Sequence, residues 1–125
     1  MPAAEQFSIA LEATGPVVVL TAAGELDAHT VGDLSGAVDI AVTGHERHVV
    51  IYAAGISFID STGITTLVAA MRRLNRSRRR LAIACAASSP TGRALAMTGL
   101  DRSFELHPTV DRAVAALADA PLLGR

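Results

Sequence analysis

Lysine and tryptophan are missing from this chain, and cysteine occurs once, at Cys85. A lone cysteine forms no internal disulfide. No metal-ligand spacing surrounds it, which suits a reducing compartment. Aromatic residues make up only 3% of the chain, although 50% of its residues are hydrophobic. The core must then be built from Ala, Val, Leu and Ile. That argues for helices packed on a sheet and against an aromatic-lined ligand pocket. No apolar run reaches transmembrane length. The start, Met1 to Phe7, lacks the basic stretch and apolar run of a signal peptide, so the cytoplasm is the expected location. Excess charge is also missing: 11 basic residues against 12 acidic ones give a net charge of −1. Such balance gives no reason to expect nucleic acid or an anionic membrane as a partner.

What is present fits a single domain over 1–125, with a core of about 7–118 and a loose tail at 121–125. Phe7, Ile9 and Leu11 alternate with polar or small residues, which predicts a half-buried strand over Phe7 to Ala13. Gly15-Pro16 marks a turn, and Val17 to Leu20 pairs back as a hairpin that Gly24 to Asp27 ends. The period then becomes helical. Val31, Leu34, Val38, Ala41 and Val42 share one face, with Thr30 placed as N-cap and Gly44 as a left-handed C-terminal residue.

Val49 to Tyr52 reads as a buried central strand. A second helix follows through Ile64, Leu67, Val68, Met71 and Leu74, and Leu81 to Ala84 is another strand. Pro90, capped by Ser88 or Ser89, opens a third helix, and Gly99 closes it. Ser103 to Leu106 is a last short strand. Thr109 starts a final helix through Val110, Ala113, Val114 and Leu117, which Pro121 stops. The order β-β-α-β-α-β-α-β-α predicts an α/β fold. Its mixed sheet has an N-terminal hairpin and then largely parallel strands, flanked by about four helices.

Chemistry concentrates between the central strand and the second helix, at Phe58-Ile59-Asp60-Ser61-Thr62-Gly63. A helix N-terminus leaves backbone amides unpaired. Asp60, Ser61 or Thr62 can cap them. The same place also tolerates a phosphate, because the helix dipole favours negative charge. Both uses of these hydroxyls are open on spacing alone.

Three segments together resemble one known family, the STAS-domain anti-sigma factor antagonists. They are Gly24-Glu25-Leu26-Asp27, Phe58 to Ile64, and Thr98-Gly99-Leu100-Asp101, in the family's order and at its intervals. The resemblance runs from about Phe7 to Ala118 and implies the STAS-like sheet described above. It also implies that Ser61 is phosphorylated by an anti-sigma factor that is itself a serine kinase; a second acceptor at Thr62 is left open by the sequence. The unphosphorylated protein would bind that factor and free a sigma factor, and a PP2C-type phosphatase would restore binding.

The partner-binding residues implied are Asp27, Asp60, Ser61, Thr62 and Gly63. Gly63 is expected to leave room for a partner backbone, and Phe58 and Ile64 to anchor the loop from the core side. The chain departs from the family pattern at Tyr52, where members usually carry Asp or Asn. It also departs at Arg79 and Arg80, where members often carry glycine. Tyr52 motivates an alternative: a non-phosphorylated scaffold or sensor subunit that binds a protein or small ligand constitutively.

Other chemistry is thinly represented. The arginines at 72, 73, 76, 78, 79 and 80 read as a solvated helix end or as an anion patch. No aromatics for base stacking lie beside them. His29, His45, His48 and His107 show no metal-ligand spacing. There is no G-x-S-x-G elbow and no phosphate loop. Cys85 reads as a buried, inert thiol. The expectation is a binding protein, monomeric or weakly dimeric, with no enzyme activity and no cofactor.

Overall fold

The computed structural model describes residues 6–44 and 46–119. Its sheet has five strands in the order β1-β2-β3-β4-β5. They are Ser8–Thr14 (β1), Val17–Leu26 (β2), His48–Ile59 (β3), Leu81–Ala84 (β4) and Glu105–His107 (β5). The helices are Val31–Gly44 (α1), Ser61–Arg76 (α2), Pro90–Met97 (α3) and Val110–Ala118 (α4), with a short 3-10 turn at Leu100–Arg102. β1 and β2 pair antiparallel, and β2 to β5 are parallel neighbours. The expected order and pairing therefore hold. The expected tail and the Pro121 stop lie outside the described residues, as does His45.

Right-handed crossovers between successive parallel strands place their helices on one face. Leu34, Val38, Leu67, Leu74 and Leu95 from α1, α2 and α3 accordingly form one core with Leu20, Leu26, Ile51 and Ile83. Each such fully buried side chain contributes about 1.5–3 kcal/mol. Ala113 and Leu117 of α4 cover the other face, against Val17, Val19, Val50 and Ala82. The β2 residues Val17 to Leu20 are buried on both sides, which is why they read as a continuous apolar run.

Three local expectations are corrected. The strand read over Val17 to Leu20 runs on to Leu26, inside the Gly24 to Asp27 stretch expected to end it, because β3 extends past Tyr52 to Ile59 and pairs with it. Gly24 makes this possible: its φ is +100°, and a Cβ there would lie 2.7 Å from the Gln6 carbonyl oxygen. Thr30 does not cap α1. Its hydroxyl turns back and donates to the Glu25 carbonyl at 2.7 Å. Gly44 is the last residue of α1 and is not left-handed.

The end of α1 is capped from outside instead. Arg79 is buried, and its guanidinium donates to the carbonyls of Val42 at 2.9 Å and Ala41 at 3.4 Å. A cation there also complements the helix dipole. The arginine run is thus only partly solvated. Arg80 forms a two-pronged bridge to Glu105, which raises the already high pKa of the guanidinium, chiefly through the hydrogen bond. Arg73 pairs with Asp39 of α1. Arg78 adopts φ +58° just past α2. The amides of Arg78 and Arg79 return to the carbonyls of Asn75 and Leu74, closing the helix as a Schellman motif.

Candidate functional site

β2 and β3 end side by side, with Leu26 in register with Ile59. The Asp60 amide donates to the Leu26 carbonyl at 3.2 Å, which ties the two strand ends together. Asp27 and Asp60 therefore follow adjacent strands at the carboxyl edge of the sheet, where open α/β folds place their sites.

Asp60 is the N-cap of α2. Its carboxylate accepts the Gly63 amide at 2.9 Å. Ser61 and Thr62, the first two helical residues, are exposed. Among the described residues neither hydroxyl has a hydrogen-bond partner. Their carbonyls accept the hydroxyls of Thr65 and Thr66, one turn on. Capping thus falls to the carboxylate, and the serine hydroxyl projects from a helix start where negative charge is favoured.

Gly63 does not leave room for a partner. It is buried, and a Cβ there would lie 2.8 Å from both the Leu26 carbonyl oxygen and Ile59 Cγ1. Its small size lets the first turn of α2 sit against the end of β2. Phe58 is not a core anchor either: it is 49% exposed. Ile59 packs on the core, and strand alternation sends its neighbour to the other face. Ile64 is half-buried.

The Asp27 carboxylate accepts the His29 amide at 2.9 Å, and its carbonyl accepts the amides of Thr30 and Val31. Beside it lies a cleft of about 290 Å³ lined by Phe7, Glu25, Asp27, His29 and Asp33. The structure thus brings Asp27, Asp60, Ser61, Thr62 and Gly63 to one end of the sheet.

Tyr52 stands elsewhere. It packs with the α4-side core, in register with Thr21 and Ala84. With Glu12, Val19, Thr21, Val110 and Val114 it lines a groove of about 450 Å³. Cys85 is buried. His48 is also buried, and its Nδ1 accepts the Arg80 amide at 3.0 Å. Among the described residues no three His, Cys, Asp or Glu side chains gather to hold a metal. No described helix is long and apolar enough to cross a membrane.

The sequence pattern of the STAS domain matches residues 8–113. The chain belongs to the STAS domain family. This STAS domain is similar to the anti-sigma-F factor antagonist RsfB of Mycobacterium tuberculosis, at 26% identity over 94% of each chain. It superimposes on an anti-sigma factor antagonist from Mycobacterium paratuberculosis with a TM-score of 0.83. The identity there is 28%, over 95% of this chain and 100% of that one. The phosphorylated form of the Bacillus cell fate determinant SpoIIAA matches with a TM-score of 0.63 and 25% identity. That match covers 87% of this chain and 98% of SpoIIAA.

Proposed function

We propose that this STAS domain is an anti-sigma factor antagonist. It binds an anti-sigma factor with serine kinase activity, frees a sigma factor, and is switched off by phosphorylation at Ser61. The observation that carries this reading is the exposed Ser61 hydroxyl at the start of α2, left unengaged because Asp60 caps the helix. The names of the similar proteins, and the phosphorylated state of one of them, support it.

A phosphate adds roughly −1.5 to −2 charges at one point. On an exposed first turn it leaves the core intact and changes only the surface presented to a partner. Thr62 is the second candidate acceptor, and a PP2C-type phosphatase would reset the switch. The protein acts in the cytoplasm as a monomer or weak dimer, without catalysis of its own.

Titration of the anti-sigma factor with two variants tests this. Ser61→Ala should bind constitutively, and Ser61→Glu should bind weakly while keeping the fold. Equal binding by both would count against the switch. The Tyr52-lined groove favours one competing reading, a constitutive small-ligand or scaffold module. It predicts partner binding that never responds to ATP.

A further inference from the structure

We infer that the partner covers Phe58 with an apolar socket whose rim is basic. This rests on reading the Ser61 loop as the partner-facing surface. Phe58 leaves half of an aromatic side chain in water, in a chain that has only three Phe and one Tyr. By contrast, Phe104 is buried in the core. Phe58 lies at the end of β3, three residues before Ser61, and its ring is not needed for the packing that Ile59 already supplies.

The surroundings of the ring are acidic. Glu25 is exposed and in direct register with Phe58 across β2 and β3. Asp27 and Asp60 follow at the ends of the same two strands. No arginine occurs in β2, in β3, in the 27–30 loop or in the first turn of α2, and the chain has no lysine at all. The first arginine of α2 is Arg72, in its C-terminal half. An exposed aromatic inside a negative rim is complementary to an apolar pocket edged by Lys or Arg. Aromatic anchors that fill pockets carry most of the binding energy of an interface. Rim charges set the association rate and the choice of partner.

This charge arrangement constrains how the switch works. A phosphate on Ser61 brings more negative charge towards a basic partner, so Coulomb attraction alone would tighten the complex. Release must then come from the bulk and desolvation of the phosphate at a close contact. The affinity gap between Ser61→Ala and Ser61→Glu should hold or widen as salt is raised. Repulsion by an acidic partner would make it narrow.

The test is a binding titration with the anti-sigma factor kinases encoded in the same genome, using wild type, Phe58→Ala, Glu25→Gln and Ser61→Glu. Phe58→Ala should weaken binding roughly thirtyfold or more with an unchanged melting temperature. Glu25→Gln, which leaves the ring in place, should slow association several-fold at low salt and flatten its salt dependence. Wild-type affinity for Phe58→Ala with weakened Ser61→Glu would overturn the socket and leave the proposed function standing. A wild-type association rate for Glu25→Gln at low salt would overturn the basic rim. Indifference of the kinase to Phe58→Ala and Ser61→Glu alike, or no binding of the wild type by any of these kinases, would overturn both readings.

Discussion

The Asp60 carboxylate accepts the Gly63 amide at 2.9 Å, so α2 is capped by the residue that precedes the exposed Ser61. Two neighbouring side chains thus hold separate roles. One secures the helix, and the other can change chemically without loosening it. Asp60→Ala should cost about 1 kcal/mol of stability. Asp60→Asn should cost far less, because an amide oxygen also accepts. Ser61→Ala should stay within about 0.5 kcal/mol of wild type. Urea denaturation of the three variants checks the division.

Gly63→Ala should be more damaging than any of these. The added methyl would meet the Leu26 carbonyl and Ile59 at 2.8 Å, and backbone cannot yield as a flexible side chain can. A loss of about 1–3 kcal/mol is expected. A displaced α2 start should also lower the rate of phosphorylation at Ser61. Denaturation and a kinase time course read the two effects separately.

Arg79→Met keeps an apolar stem but removes the donors that reach Val42 and Ala41. The Ala41 and part-buried Val42 carbonyls at the end of α1 then lose these donors. The expected loss is about 2 kcal/mol, since hydrogen bonds from a charged donor are the stronger kind. Hydrogen exchange should show the last turn of α1 opening first.

Arg78→Gly should be more stable than Arg78→Ala, since both variants lack the arginine side chain and differ in what the backbone tolerates. A left-handed φ of +58° strains any residue with a Cβ. Removing that strain, less the entropy that glycine adds to the unfolded chain, leaves glycine about 0.5–1 kcal/mol ahead of alanine. A higher denaturation midpoint for the glycine variant than for the alanine variant, at the same slope, is the expected result.

Element order was legible because periodicity and caps agreed. Leu81 to Ala84 is a strand with the expected bounds, and Thr109 caps α4 through the Arg112 amide. The far end of β3 was not legible, whereas β2 ends where Gly24 to Asp27 had marked it. Ala53, Ala54 and Gly55 are poor strand formers; Ala53 and Ala54 fall in a register shift, and β3 is carried on by the pairing of Gly55 to Ile59 with β2, a contact between distant segments. The same extension explains the misread Phe58. Register shifts between β2 and β3 disturb simple alternation, yet one signal was present: adjacent Phe58 and Ile59 cannot both face the core. The loop at 58–63 was found by its residue types. The roles of Asp60, as cap, and of Gly63, as a close contact, needed coordinates. Arg79 looked like one of a charged run, and only the fold brings it to the end of α1.

Ser61 carries the proposed switch. Intact mass and peptide mapping, after incubation with ATP and the anti-sigma kinases of the same genome, test it directly. One added phosphate that maps to Ser61, and is absent from Ser61→Ala, is the predicted result. No phosphate with any of these kinases, while the partner still binds, would contradict the switch and favour a constitutive scaffold.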